Sequence, residues 1–164
     1  TKLVADVVEL ARGEAPEAPR EEVDLGDLVT TTVARAEVHG RAVGVSFDID
    51  VAPSWVRGAP GRLERAVANL LDNAVKWSPP GGTVEVVSSG GAVTVRDHGP
   101  GIPEADLPKV FDRFYRASAA RALPGSGLGL AIVREVVESE GGTVRASNHA
   151  GGGAVVEIRL PAFQ

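Results

Sequence analysis

Residues 62–79 read RLERAVANLLDNAVKWSP, and the fold class turns on this stretch. At about 100° per residue, Arg65, Asp72, Asn73 and Lys76 fall within about 60° of Asn69, and Leu63, Val67, Leu70, Leu71 and Ala74 fill the opposite side. The spacing predicts an amphipathic helix over 60–76, stopped by Ser78-Pro79-Pro80-Gly81-Gly82. One reading is a surface helix with a solvated polar stripe, an ordinary pattern. The other starts from the asparagines. Asn is a poor helix-interior residue because its amide competes with the backbone. Two of them one turn apart, with a Lys beyond, offer an amide oxygen to a hard cation and an ammonium to phosphate.

Outward from this helix, helical and extended patterns alternate. Upstream, Leu25, Leu28, Val29 and Val33 predict a helix over about 25–38. Strands follow at 42–50, where Val43, Val45, Phe47 and Ile49 alternate, and near 54–57. Downstream, strands at 83–88 and 92–97 flank the turn Ser89-Gly90-Gly91, and 98–125 has little regular periodicity. A helix covers 127–139 and ends at Gly141-Gly142; a hairpin then pairs 143–148 with 154–160 across Ala150-Gly151-Gly152-Gly153. Hairpins predominate, so the expected fold is an α/β (α+β) two-layer sandwich, a mostly antiparallel sheet with three main helices on one face. Residues 1–12, TKLVADVVELAR, place Leu3, Val4, Val7, Val8 and Leu10 at helical spacing and read as the end of an amphipathic helix. Residues 13–22, GEAPEAPREE, read as a linker, and 23–164 as the ordered domain.

Composition narrows the function. A chain of 164 residues suits one domain with a short appendage. Hydrophobic residues at 43% and charged residues at 24% exclude wholesale disorder. The net charge is -5 with no basic cluster, which argues against a nucleic-acid partner. The absence of Cys removes disulfides and thiol chemistry, and His39, His98 and His149 lack zinc-ligand spacing. No apolar run approaches the ~18 residues of a membrane span. The opening at Thr1 reads as a piece of a longer protein.

Three further stretches carry chemistry. In VTVRDHGPGI (93–102), Val93, Val95 and Asp97 share one side of a strand, which puts a carboxylate at the end of an apolar row. Gly99 and Gly101 let the backbone approach a ligand; alternatively, Asp97 bonds only its own turn. GSGLGL (125–130) is a glycine-rich turn opening a helix, a geometry suited to phosphate or, with no ligand, to a hinge. VFDRFYRAS (110–118) is an aromatic-basic cluster. It is either a satellite core anchoring a long loop or a source of a charge clamp through Arg113 or Arg116.

In order and spacing, RLERAVANLLDNAVKWSP (62–79), RDHGPGI (96–102), VFDRFYRA (110–117) and GSGLGLAIV (125–133) resemble the N, G1, F and G2 boxes of sensor histidine kinases. The resemblance covers about residues 24–161, closing on TVRASNHAGGGAVVEIRLP (143–161). It implies the Bergerat ATP-binding fold and ATP and Mg²⁺ as cofactors. Under it, Asn73 supplies the oxygen ligand to Mg²⁺ and Asn69 lies beside the phosphates or a metal-bound water. Lys76 contacts phosphate, and Trp77 stands where a Tyr near the adenine is usual. Asp97 accepts the adenine amino hydrogen, with Gly99, Gly101 and Ile102 shaping that pocket. Gly125, Ser126, Gly127, Leu128 and Gly129 approach the phosphates, Arg116 lies near the γ-phosphate, and about 103–124 is the ATP lid. Asn69, Lys76 and Arg116 are the implied catalytic residues.

The resemblance also implies partners. A dimerisation/phosphoacceptor domain of the same protein carries the histidine that receives the γ-phosphoryl, and a response-regulator aspartate receives it next. The full-length protein is implied to be a homodimeric inner-membrane sensor. This part is its cytoplasmic domain, monomeric as a fragment and unable to phosphorylate itself alone. The chain departs from the family pattern at His98, which stands where many relatives carry Asn and is read as a spacer. The lid is a residue or two short, and the phosphoacceptor H box is missing. Two rivals remain: an ATP-hydrolysing superfamily member, which would need a Glu where Asn69 stands, and an interaction module with a degenerate pocket.

Overall fold

The computed structural model describes residues 3, 4, 7, 8, 19–113, 115 and 128–161. In chain order the elements are β1 (Glu21–Asp24), α1 (Leu25–Val43), β2 (Ser46–Val51), β3 (Trp55–Gly58), α2 (Pro60–Trp77), β4 (Thr83–Ser89) and β5 (Ala92–Arg96). A 3₁₀ helix (Glu104–Lys109), α3 (Gly129–Ser139), β6 (Thr143–Asn148) and β7 (Ala154–Arg159) follow. The main sheet runs β2-β4-β5-β7-β6; β2 pairs parallel with β4, and the other neighbours are antiparallel. β1 and β3 form a separate two-stranded antiparallel sheet.

The two layers follow from the side-chain periods. On β4 and β5, Val84, Val86, Val93 and Val95 are buried, whereas Glu85, Val87, Thr94 and Arg96 take the other face. The apolar row of α2 (Leu63, Val67, Leu70, Leu71, Ala74) joins the same core, together with Val29 and Val33 of α1 and Ile132, Val133, Val136 and Val137 of α3. The helices therefore cover one sheet face, and the open face carries charged side chains, threonine and the exposed Val87.

Three differences from the sequence reading exceed the one- or two-residue shifts seen at other element ends. The first strand starts at Glu21, inside the stretch read as linker, because Glu21–Asp24 finds a partner in Trp55–Gly58, more than 30 residues away. The first helix runs to Val43 rather than about 38, and Val43 belongs to it instead of a strand. It continues because Gly40 has no side chain to strike the Val45 carbonyl, 2.7 Å from where a Cβ would sit. The following strand accordingly spans Ser46–Val51 rather than 42–50. Of the opening helix read over 1–12, residues 3, 4, 7 and 8 are helical and exposed, and the rest lie outside the described residues.

Arg20, just before β1, reaches the C-terminal end of α3. Its Nη2 donates to the Ser139 carbonyl at 2.5 Å, and its Nε lies 3.4 Å from Glu140 Oε2. The Glu140 side chain is only 3% exposed, and a buried carboxylate deprived of its cation is strongly disfavoured. Arg20 is itself part-exposed, which screens the pair. Arg20→Ala is therefore expected to cost about 1–2 kcal/mol, read as a lower urea midpoint at constant m. An unchanged midpoint would show that the pair carries no stability.

Candidate functional site

The site is built around the end of β5. Val93 and Val95 point into the core and Asp97 continues their row, so its carboxylate is 3% exposed. Asp97 also extends the pairing with β7: its N–H donates to the Ala154 carbonyl at 3.0 Å. Its Oδ1 accepts from the Gly99 N–H at 2.9 Å and from the Ala154 N–H at 3.2 Å. The bond to its own turn is thus present, yet it engages only Oδ1. Among the described residues no protein donor reaches Oδ2. Burial pushes the Asp97 carboxyl above its usual range, against the opposing pull of the Gly99 and Ala154 N–H groups and the charges of His98 and Arg96.

Glycine lets the chain close around this carboxylate at two points. A Cβ on Gly99 would run into the Trp77 carbonyl, so the loop after β5 lies directly on the last turn of α2. A Cβ on Gly153 would run into the Asp97 carbonyl, and its φ of 85° lies in the left-handed region. Trp77 and Gly99 are therefore neighbours, as are Asp97 and the β6–β7 turn.

The polar stripe of α2 is not solvated as a surface stripe would be. Asn69 is 3% exposed, and Arg65, Asn73, Lys76 and Trp77 are half-buried; only Asp72 is exposed. The Asn69 Nδ2 donates to the Arg65 carbonyl at 2.9 Å, which satisfies the amide against its own helix and directs Oδ1 outward. That Oδ1 lies 3.4 Å from where a Cβ on Gly129 would sit, so α2 and the first residue of α3 meet there. Asn73 makes no side-chain hydrogen bond among the described residues, which leaves an amide oxygen open. No group of three or more His, Asp or Glu able to hold a metal occurs among the described residues. A metal here would need a single protein oxygen completed by phosphate and water, an arrangement Mg²⁺ accepts and Asn73 fits.

Leu128 is fully buried in the core, so its side chain packs, and only its backbone can serve a ligand. Arg116, Gly125, Ser126 and Gly127 lie outside the described residues, as do 114 and 116–124 of the lid read over 103–124. In the 110–118 cluster, Val110 and Phe111 are buried in the core, which favours the anchoring reading for them, and Arg113 is exposed. The Tyr115 hydroxyl donates to Asp106 Oδ2 at 3.0 Å, and burial with this bond pushes its pKa up to about 12. His98 is more than a spacer: its Nε2 lies 2.7 Å from Glu85 Oε2, to which Arg96 Nη1 also pairs at 3.2 Å.

Sequence reasoning missed three contributors: Ala154, Gly153 and Asn148. The Asn148 side chain bonds both the N–H and the carbonyl of Ile102, each at 2.7 Å. The glycine run at 151–153 was visible as a turn, but nothing local shows that it closes over Asp97.

The class is defined by a two-layer fold, a mostly antiparallel sheet under helices, with a buried carboxylate beside an Asn-bearing helix. A family model described as histidine kinase-, DNA gyrase B-, and HSP90-like ATPase matches residues 58–164. The chain belongs to this family, with the Bergerat fold of histidine kinase catalytic domains. It is 47% identical over 156 residues to the signal transduction histidine-protein kinase/phosphatase MprB of Mycobacterium avium (strain 104), covering 92% of this chain and 30% of that protein. A solved mycobacterial sensor histidine kinase MprB matches with a TM-score of 0.79 at 40% identity, over 87% of this chain and 98% of that one. Full-length ShkA in complex with AMPPNP matches with a TM-score of 0.80 at 27% identity, over 98% of this chain and 35% of that one. The chain thus spans about 30% of the length of the curated relatives it matches.

The raised pKa of Asp97 has a stability consequence. The folded state binds this proton more readily than the unfolded state, whose value lies near 3.8. Between that value and the folded pKa, stability falls as pH rises, and the cost of the buried charge persists above the folded pKa. Asp97→Asn cannot ionise. Its stability relative to wild type is expected to improve from about pH 3.5 upward and then level off. Urea titrations at several pH values check this, and a flat difference contradicts it.

Proposed function

We propose that this domain is the ATP-binding, phosphoryl-donating part of a sensor histidine kinase. Residues 1–12 would end the dimerisation/phosphoacceptor domain, 13–22 would link it to the pocket, and 103–124 would form the lid. The observation that carries the reading is Asp97: a buried carboxylate with one oxygen bonded by two backbone N–H groups and the other without a protein donor among the described residues. Such an oxygen selects a ligand that brings its own N–H, as the adenine amino group does and a ring carbonyl does not.

The chemistry follows from position and charge. Phosphoryl transfer asks the protein mainly to place the donor and neutralise developing negative charge. Asp97, with Gly99, Gly101 and Ile102, holds the base. Asn69, Lys76 and Gly129, together with Gly125, Ser126, Gly127 and Arg116, address the triphosphate. Mg²⁺, held through Asn73, supplies charge neutralisation between the phosphates when bound. A neutral imidazole nitrogen of the dimerisation domain attacks the γ-phosphorus in line. The bond to the β–γ bridging oxygen breaks, ADP leaves, and the phosphohistidine passes its phosphoryl group to a response-regulator aspartate. A homodimeric inner-membrane sensor with this domain on its cytoplasmic side completes the proposal. No helix among the described residues is long and apolar enough to cross a membrane.

An ATP-hydrolysing role is less well supported. The general base would stand at Asn69, whose amide takes no proton at neutral pH and is already bonded to the Arg65 carbonyl.

Isothermal titration with ATP and Mg²⁺ tests the reading: binding is expected for the wild-type chain, and none at millimolar nucleotide supports a degenerate module. Asp97→Asn keeps the bonds from Gly99 and Ala154 but turns a donor toward the base, so affinity should fall at least about tenfold. Asn73→Ala should mainly remove the Mg²⁺ dependence; equal Mg²⁺ dependence in both proteins refutes the metal role. With γ-labelled ATP the 164-residue chain should acquire no label on histidine. Labelling would mean that the division of parts is wrong.

A further inference from the structure

The geometry points to Asn148 as a positioning residue for the nucleotide pocket, an inference that rests on the nucleotide-binding reading above. Asn148 is the last residue of β6 and is exposed. Its Oδ1 accepts from the Ile102 N–H and its Nδ2 donates to the Ile102 carbonyl, both at 2.7 Å across 46 positions of sequence. An amide that bonds both polar groups of one residue acts as an added rung of antiparallel ladder. The neighbouring Gly101 has φ 82°, and a Cβ there would lie 2.8 Å from Asn148 Oδ1, so the amide can approach only because that position is bare.

The loop after β5 is therefore held at both ends by one hairpin. Its start is pinned where Ala154, the first residue of β7, bonds Asp97; its end is pinned where Asn148, the last residue of β6, bonds Ile102. Ile102 is half-buried against the core. Fixing it sets the path of Gly99 to Gly101 beneath a base at Asp97. It also sets where Pro103 and the 3₁₀ helix Glu104–Lys109 begin. The β6–β7 hairpin is the mould of the base pocket, and Asn148 is the side chain that closes it. Asn148 touches no reacting atom, and it acts through Ile102.

Asn148→Ala should fold normally, because the residue is exposed, and should keep the wild-type urea midpoint within error. Its Kd for ATP with Mg²⁺ and for ADP should weaken roughly tenfold, as expected for two lost hydrogen bonds that order a loop. Asn148→Asp, which keeps the acceptor for the Ile102 N–H but has no donor for its carbonyl, should fall between. Hydrogen exchange should show lost protection at the Ile102 amide without global loss. A merely structural role would lower the midpoint and leave Kd unchanged, and that result overturns the inference. Wild-type binding with an unchanged Kd in Asn148→Ala overturns the role of Asn148 and leaves the nucleotide reading standing. No binding by the wild-type chain overturns both.

Discussion

A carboxylate at the end of a buried strand persists only where protein donors replace the water it has lost, and Asp97 meets that demand with two backbone N–H groups from opposite directions. Gly99 donates from the loop that follows, and Ala154 donates from the neighbouring strand. Each donor constrains what surrounds it. The Gly99 bond needs the loop to lie against the Trp77 carbonyl, and the Ala154 bond needs Gly153 to pass over the Asp97 carbonyl. One buried charge thereby ties together the end of β5, the last turn of α2 and the start of β7.

The helix α2 gives the pocket a rigid wall. Its apolar side sits in the core against Val84, Val86, Val93 and Val95, so its opposite side cannot rotate away. Asn69, Asn73 and Lys76 are consequently presented along one line by the same packing that stabilises the domain. Asn69 secures its own orientation through the Arg65 carbonyl and meets the first residue of α3. The far end of α3 is held by Arg20 through Ser139 and Glu140. The segment entering the domain and α2 are thus both attached to one short rod, α3. The open sheet face behaves differently: Glu85, Arg96 and His98 pair there in partial contact with solvent, where ion pairs contribute little.

Much of this was legible along the chain, and the exceptions have physical causes. The α2 helix and its two faces could be read because a 3.6-residue period needs no partner to be visible. Asp97 could be singled out because strand alternation carried Val93 and Val95 into it. The first helix outruns the reading of about 25–38 because the bare Gly40 lets its last turns contact Val45, a tertiary contact with no periodic signal. The first two residues of β1 fell in the stretch read as linker because a four-residue strand has no pattern of its own and exists only by pairing with Trp55–Gly58. The stripe on α2 fitted a solvated face and a ligand-binding face alike; Asn69 is buried where α3 arrives, about 60 positions later.

Residue order alone determined the alternation of helices and strands, the apolar rows that build one core, and which chemically distinctive side chains were available. These are local properties of period, side-chain volume and turn chemistry. Only the tertiary structure decided that Gly99 and Ala154 both bond Asp97 Oδ1, that Asn148 clamps Ile102, and that Asn69 faces Gly129. Each depends on backbone groups brought together from distant positions, and every residue carries the same N–H and carbonyl, so the amino-acid letters do not show which will meet.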